Sequence, residues 1–339
     1  MDYRKAAKDL AKGTVYPVYI CHGAETYLLQ EFIGYAVKKL VNPDLVDLAV
    51  AKYDLHETPV QAVLDDAETP PFMTERKIII AQNAHLFTGM KDAFKVEHDV
   101  ERLNAYLREP AAYTVLIFTL DADKLDERKK IVKTAKETGM VIPFSLLSEM
   151  ELAQWVERQA EKRNIRLERG AAEQLIAAVG ANLQQMAAEM EKLALYAGEG
   201  GLITASDVAS LVAKNLEQNV FLLVADVVER KVDQALAKLD DLLKQKEEPI
   251  KLLMLIARQY RIMLQVKELK ERGCSRQQAA AQLQLHPYAV KIAEDQAGKY
   301  ESARLRDTLC ELAELDYAMK CGRIDKVLGL ELLLLRLAA

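Results

Sequence analysis

The chain has 339 residues, of which 50% are hydrophobic and 29% are charged, and its formal net charge is −5. This length predicts two or three domains, each with a core of its own. No apolar run reaches the roughly 20 residues that a membrane span requires, and the charged N-terminus does not resemble a signal peptide. We therefore expect a soluble, cytoplasmic protein without a membrane partner, and the net charge excludes a protein that is basic overall.

Metal-binding residues are sparse in this sequence. The four cysteines form no CxxC pair, and the five histidines form no HxxH or HxxxH spacing. Structural zinc sites bring their ligands together at such short spacings. The sequence therefore predicts reduced thiols and no metal site.

The N-terminal segment alternates short apolar runs with amphipathic stretches. Four runs predict strands, at Pro17–Cys21, Arg76–Ala81, Thr114–Thr119 and Val141–Phe144. Helical spacing predicts helices at Thr26–Leu40, Asp99–Arg108 and Asp126–Thr138. Because continuous apolar strands must be buried on both faces, this pattern favours an α/β domain with a parallel sheet, over residues 1–144.

Strand signals stop after residue 144, and the remaining chain is predicted to be helical. Residues 145–213 indicate a small helical domain, and residues 214–339 indicate a bundle of five or six helices. Helices are predicted at Asn219–Lys231, Val232–Gln245, Pro249–Glu271, Ser275–Leu283, Pro287–Ala297 and Glu301–Lys320, followed by a leucine-rich stretch, Leu328–Leu337. Pro249 and Pro287 stand where a first helical turn accepts proline.

The loop after the first strand lies where an ATP-binding α/β domain places its phosphate loop. That loop requires the pattern GxxxxGK[ST], whose amides and lysine hold the phosphates and whose hydroxyl holds Mg²⁺. Here Gly23 is followed by Glu25, which repels phosphate, and Leu28 and Leu29 stand where the second glycine and the lysine belong. The next predicted core strand ends in the neutral Gln82–Asn83. The loop is therefore degenerate, and we expect no nucleotide cofactor and no ATP hydrolysis.

Two carboxylates, Asp121 and Asp123, follow the third predicted strand. They form the best acid pair in the chain, but no second acid or base is identifiable opposite them. Carboxylates at a strand end more often form turns, so we favour a structural role. The sequence therefore predicts no catalytic site.

A series of short motifs resembles, in order, the delta subunit of bacterial DNA polymerase III. The motifs are Pro17–Leu28, Thr69–Lys77, Glu189–Tyr196, Ile203–Thr204 with Asp207–Val208, Asn219–Phe221, Ile256–Arg261 and Asp316–Gly322. Each is short, but their collinear order runs through nearly the whole chain. The resemblance implies an AAA+-like α/β domain over residues 1–144, a helical lid over 145–213 and a helical collar over 214–339.

The resemblance also implies a function in DNA replication. Delta subunits bind and open the sliding clamp (beta) for loading onto primed DNA, alongside the gamma/tau ATPase subunits and delta-prime. They do not hydrolyse ATP themselves, and they are classed with DNA-directed DNA polymerase, a nucleotidyltransferase, only as holoenzyme subunits. Consistent with this, Gln184 stands where active loader ATPases carry a phosphate-sensing arginine. The alternative is a nucleotide hydrolase with a degenerate phosphate loop.

The resemblance assigns clamp binding to a hydrophobic wedge at Pro71, Phe72 and Met73. This sequence has Pro71 where some relatives carry a leucine, so the wedge rests on two side chains. Pro70 and Pro71 together fix an extended or turn conformation, from which an aromatic ring and a thioether suit an apolar pocket on a partner. The alternative is that Phe72 caps the core of its own domain.

Contact with DNA is predicted at Arg258 and Arg261, which lie three residues apart on a predicted helix. Residues 248–339 contain 15 basic and 12 acidic residues, a net charge of +3, so the basic excess is mild. The alternative is that both arginines are solvated or paired with acids. Asp316 and Lys320 are predicted to form an ion pair one helical turn apart.

Overall fold

The computed structural model describes residues 3–89, 96–213 and 215–338 of the chain. The chain forms two compact units, Met1–Leu146 and Leu147–Ala339. Residue 214, where the third predicted domain begins, lies outside the described residues, and a division of the second unit stays a prediction. None of the helices in the described ranges is long and apolar enough to cross a membrane.

A five-stranded parallel sheet forms the centre of the first unit. Its strands are β1 (Val18–His22), β2 (Val50–Asp54), β3 (Lys77–Gln82), β4 (Thr114–Leu120) and β5 (Met140–Pro143). They lie in the order β2-β3-β4-β1-β5, and every neighbouring pair is parallel. The predicted parallel sheet is therefore confirmed.

Strand β2 corrects the prediction of four strands. It lies at the edge of the sheet with a single neighbour, β3, and its residues are half-buried or exposed. An edge strand need not be apolar on both faces, so Val50–Asp54 lacks the continuous apolar run that marks the buried strands.

Helices cover both faces of the sheet. They are α1 (Tyr3–Ala11), α2 (Thr26–Leu40), α3 (Val46–Ala49), α4 (Val60–Glu68), α5 (Val100–Arg108) and α6 (Lys130–Thr138). On one face, Val18 and Ile20 of β1 share a core with apolar residues of α4, α5 and α6. On the other face, the ring of Tyr19 lies 5.8 Å from that of Phe32 on α2. Alternate residues of one strand thus enter two cores, which explains the continuous apolar runs.

The predicted start of α6 at Asp126 is wrong. The helix begins at Lys130, and the Asp126 carboxylate instead accepts hydrogen bonds from the backbone amide and the guanidinium of Arg128. An aspartate that bonds to the amide two residues ahead favours a turn over a helix.

The second unit begins with four helices and one short two-stranded parallel sheet. The helices are α7 (Glu149–Lys162), α8 (Ala171–Val179), α9 (Leu183–Ala197) and α10 (Ala205–Leu211), and the strands are β6 (Arg166–Leu167) and β7 (Leu202–Ile203). The prediction that strands end at residue 144 is therefore wrong, because two-residue strands carry no periodicity to detect. Thr204 caps α10 and forms a capping box with Asp207.

Seven helices complete the part of the second unit that the structure describes. They are α11 (Leu216–Val228), α12 (Val232–Lys244), α13 (Pro249–Glu271), α14 (Arg276–Leu283), α15 (Pro287–Ala297), α16 (Ser302–Lys320) and α17 (Lys326–Ala338). They bury one continuous apolar core. The predicted bounds of α13 and α15 are confirmed, since a proline begins each. The predicted count of five or six is too low, because the leucine-rich stretch also forms a helix.

Candidate functional site

The loop from β1 to α2 lies where an α/β sheet of this topology binds a nucleotide. The chain leaves β1 towards β2, whereas β5 lies on the other side of β1, so the connections diverge at the end of this strand. Ligands of open parallel sheets bind outside the carboxyl ends of the strands at such a point. The contacts of this loop therefore decide whether a phosphate has room there.

The backbone amides of this loop are already engaged within the protein. The amide of Gly23 donates to the carbonyl oxygen of Leu120 (3.1 Å), and the amide of Glu25 donates to that of Phe144 (2.9 Å). Gly23 has φ +130°, and a Cβ atom added there lies 2.3 Å from the Phe144 oxygen, so only glycine fits. Phosphate loops aim such amides at the ligand. Here the Gly23 amide binds the last residue of β4, and the Glu25 amide binds the residue that follows β5.

The side chains at the start of α2 fill the space next to this loop. Leu28 and Leu29 are buried, and Glu25 is only 6% exposed. Burial raises the pKa of the Glu25 carboxyl to about 7, and the amide of Tyr27 offsets part of that rise. Bulky apolar side chains and a buried carboxyl thus stand where a phosphate loop has small residues and a lysine.

The ends of the neighbouring strands carry polar contacts. Asp54, the last residue of β2, accepts a hydrogen bond of 2.8 Å from the side-chain amide of Asn83, which lowers the pKa of its carboxyl. Asp123 lines an open groove of about 560 Å³ together with His22, whose Nδ1 lies 3.0 Å from the Ala122 oxygen. Burial lowers the pKa of His22. Within the described ranges, no three acidic, histidine or cysteine side chains meet as a metal site.

The segment between α4 and β3, residues 69–76, carries the two most exposed large apolar side chains among the described residues of the first unit. We call it the apolar loop. Phe72 is 78% exposed and Met73 is 70% exposed, and Met73 has φ +62°, a left-handed conformation that a non-glycine residue seldom adopts. Pro71 is half-buried. The alternative that Phe72 caps the core of its own domain is therefore wrong.

An ion pair joins the two ends of the apolar loop. The ammonium nitrogen of Lys77, the first residue of β3, lies 2.8 Å from Oδ1 of Asp66 on the last turn of α4. It also donates to the main-chain oxygen of Asp66, and the Tyr53 hydroxyl donates to Oδ2 (3.0 Å). Lys77 is only 7% exposed. The sequence pattern predicted Lys77 only as part of the strand Arg76–Ala81, and a charged residue that enters a buried apolar run is a signal for a buried partner.

The end of α4 is held by a second set of hydrogen bonds. The Thr114 hydroxyl donates to the oxygen of Ala67 (2.7 Å), and the Tyr113 hydroxyl donates to that of Glu68 (2.5 Å). These carbonyls belong to the last turn of the helix and have no partner within it. The apolar loop therefore projects from a base fixed by α4, β3 and the start of β4.

The two arginines predicted to contact DNA lie exposed on α13. The guanidinium of Arg258 lies 2.8 Å from the carboxylate of Glu217, whereas Arg261 has no ion-pair partner among the described residues. The predicted pair of Asp316 and Lys320 is confirmed, at 2.7 Å. Pairing with Glu217 supports the alternative interpretation of Arg258, and the DNA contact stays a prediction.

The strand order and the degenerate loop define an AAA+-like protein of the P-loop class. The family model described as "DNA polymerase III, delta subunit" matches residues 19–145, and that described as "DNA polymerase III delta subunit, C-terminal domain" matches residues 217–337. The chain belongs to the DNA polymerase III delta subunit family. The predicted family is therefore confirmed.

Individual relatives agree with this assignment. The chain is 41% identical over 330 residues to DNA polymerase III subunit delta of Bacillus subtilis, covering 97% of this chain and 95% of the relative. A probable DNA polymerase III subunit delta of Aquifex aeolicus is 25% identical over 261 residues, or 76% and 72% of the two chains. The solved structure of a Bacillus subtilis DNA clamp loader delta protein matches with a TM-score of 0.87, at 40% identity, over 99% of each chain.

Proposed function

We propose that this chain binds the sliding clamp through Phe72 and Met73 and holds it open for loading onto primed DNA. The observation that carries the proposal is the exposure of these two apolar side chains on a loop whose base is fixed. In the assembled clamp loader its further partners are the gamma/tau ATPase subunits and delta-prime. The chain contributes binding to this assembly and no ATP hydrolysis of its own.

The apolar loop has the properties that a small docking element needs. Burying a phenylalanine or methionine side chain contributes about 1.5–3 kcal/mol each, so two such residues supply much of the affinity of a compact contact. Because the Lys77–Asp66 pair holds the loop before binding, little conformational entropy is lost when the partner arrives. The contact therefore needs no other part of the chain to move.

Opening the ring requires that the chain bind the open clamp more tightly than the closed one. Each tenfold preference shifts the equilibrium between the two forms by about 1.4 kcal/mol. A rigid loop favours this preference, since it does not adapt to the closed pocket. Binding energy alone thus performs the work in this step.

The contacts of the β1–α2 loop support the absence of ATP hydrolysis. The amides of Gly23 and Glu25 bind carbonyls of the protein, and the Glu25 carboxyl lies buried in the same loop. The amides of Gly23 and Glu25 are therefore not free for a phosphate, and the loop sequence contains no lysine. Equilibrium titration with fluorescent ATP is expected to show no saturable binding, and micromolar binding with turnover contradicts this part of the proposal.

The clamp contact is tested by surface plasmon resonance on immobilised clamp. The variant Phe72→Ala/Met73→Ala is expected to lose binding by at least a hundredfold, since about 3 kcal/mol or more of apolar contact is removed. The matched control is Leu48→Ala/Val100→Ala, which removes two exposed apolar side chains elsewhere in the same unit. Equal binding by wild type and the Phe72/Met73 variant contradicts the assignment.

A further inference from the structure

A cleft of about 300 Å³ lies in the second unit, apart from every residue discussed above as a contact site. It opens where the turn after α11, the turn between α15 and α16, and the end of α17 meet. Three of its lining side chains are cations, Arg230, Lys299 and Arg304, and one, Glu301, is an acid. The remaining lining residues are Tyr300 and the apolar Val227, Val228 and Leu337.

The backbone of two turns fixes where these cations stand. Arg230 follows α11 with φ +59°, and this conformation is held by hydrogen bonds from the Arg230 amide to Val227 (3.0 Å) and from the Lys231 amide to Asp226 (2.8 Å). Lys299 follows α15, where its amide donates to Gln296 (3.1 Å). The cations therefore come from ordered turns rather than from one solvated helix face.

Hydrogen bonds occupy carbonyl oxygens at these helix ends, which weakens the negative potential that the helix ends place near the cations. The turn amides occupy the last oxygens of α11, as given above, and the ammonium group of Lys267 donates to the oxygens of Ala297 (3.3 Å) and Tyr300 at the end of α15. The first turn of α16 borders the same cleft, and the side chain of its N-cap residue Glu301 makes no capping hydrogen bond.

The acids near the cleft are weak competitors for these cations. Lys299 lies 3.3 Å from Glu229, and Arg304 lies 3.1 Å from Glu311, but all four side chains are exposed by 30% or more. Exposed ion pairs contribute little and exchange readily for another anion. Arg230 lines the cleft with no ion-pair partner in the part of the chain that the structure describes.

An ordered aromatic ring lies among the cations. The ring of Tyr300 packs edge-on against the buried Tyr260, with 6.1 Å between the centroids. Arginine forks match phosphate oxygens, and an ordered aromatic ring beside them suits a base or a sugar. The carboxylates of an acidic peptide would pair with the cations, but they have no group that stacks on the Tyr300 ring.

We infer that this cleft binds the phosphodiester backbone of a single-stranded nucleic acid. The site differs from the predicted contact at Arg258, because Arg258 pairs with Glu217 at the start of α11 whereas Arg230 follows the end of that helix. It does not depend on clamp binding, so the two proposals fail separately.

The test is fluorescence anisotropy of a labelled oligothymidylate of about 20 nucleotides with the full chain, over a range of NaCl concentrations. The variant Arg230→Gln/Lys299→Gln/Arg304→Gln is expected to raise Kd at least tenfold at low salt. Loss of three phosphate contacts also lowers the slope of log K against log salt by about 2. Circular dichroism and thermal unfolding of this variant are expected to match those of the wild type, which shows that the second unit is folded.

The matched control is Lys244→Gln/Lys251→Gln/Lys320→Gln, which removes the same charge at exposed helix positions outside the cleft. It is expected to retain wild-type affinity and salt slope. An equal loss in both variants overturns the proposal in favour of general charge attraction, and an unchanged Kd in the cleft variant overturns it outright. Polyglutamate binding with the same affinity and the same sensitivity to the cleft variant assigns the cleft to an acidic peptide and overturns the nucleic-acid site.

Discussion

The ammonium group of Lys77 and the carboxylate of Asp66 lie 2.8 Å apart at the base of the loop that presents Phe72 and Met73. The lysine is almost fully buried, so its charge is compensated within the protein. The pair joins the first residue of β3 to the last turn of α4. The conformation of the apolar loop therefore depends on its attachment to the sheet as well as on the residues of the loop.

Lys77→Met tests whether clamp binding depends on the position of the apolar loop in addition to its side chains. The substitution leaves Asp66 unpaired, and we expect a loss of about 2 kcal/mol of unfolding free energy, less than for a fully buried pair because the Asp66 side chain is 29% exposed. Clamp affinity is expected to fall although Phe72 and Met73 are unchanged. Urea denaturation and clamp binding measure the two effects, and the double variant Lys77→Met/Asp66→Leu is expected to recover part of both. Strictly additive losses contradict a coupled pair.

Gly23→Ala is expected to destabilise the first unit by about 2–4 kcal/mol. The added methyl group meets the Phe144 oxygen at 2.3 Å in a backbone conformation with φ +130°. The matched control is Gly34→Ala on α2, where a Cβ atom has no neighbour within 4 Å. This second change is expected to be neutral or to stabilise the helix by up to about 1 kcal/mol. Equal effects of the two substitutions in thermal unfolding contradict the close approach at Gly23.

Glu25→Gln is expected to change how stability depends on pH. The pKa of Glu25 is raised from 4.5 to about 7 by burial, so the folded state disfavours the ionised form. The associated stability is present below pH 4.5 and is lost as the pH rises through about 7. Between pH 5 and pH 8, the unfolding free energy of the variant is expected to rise relative to that of the wild type by on the order of 2 kcal/mol. Parallel pH profiles of the two proteins in chemical denaturation contradict a buried, protonated carboxyl.

His286→Asn is expected to change the stability at acidic pH, whereas Glu25→Gln changes it as the pH rises. Burial lowers the pKa of His286 from 6.5 to about 4, while its Nδ1 accepts the amide hydrogen of Tyr288 (3.1 Å) at the start of α15. Stability is therefore lost as the pH falls from 6.5 towards 4. Asparagine keeps a capping oxygen but does not titrate. Between pH 7 and pH 4.5, the unfolding free energy of the variant is therefore expected to fall less than that of the wild type, by up to about 2 kcal/mol. An identical loss in both proteins contradicts this role.

Sequence patterns predicted the elements that carry a clear local signal, either a continuous apolar run or a proline at the first helical turn. Strands β1, β3 and β4 are buried on both faces, and α13 and α15 begin at prolines, so local sequence suffices for them. Edge strand β2 and the two-residue strands β6 and β7 form because they pair with neighbouring strands, and their own sequences do not specify them.

The candidate site shows the same division. The loop residues Gly23 and Glu25 were identifiable from their spacing, but the amide contacts to Leu120 and Phe144 depend on strand order. The exposure of Phe72 was undecided, because a Pro-Pro-Phe-Met segment fits either a buried cap or a projecting loop. Arg258 finds its partner 41 residues away, a contact between helices that no local pattern indicates.

The most direct test of the account is clamp opening by the isolated chain. Two fluorophores placed on either side of a subunit interface of the clamp report ring opening as a loss of energy transfer. Wild-type chain is expected to lower the transfer without ATP, and the Leu48→Ala/Val100→Ala control is expected to do the same. Phe72→Ala/Met73→Ala is expected to leave the transfer unchanged at concentrations that saturate wild type. Full opening by that variant, or no opening by wild type, contradicts the account.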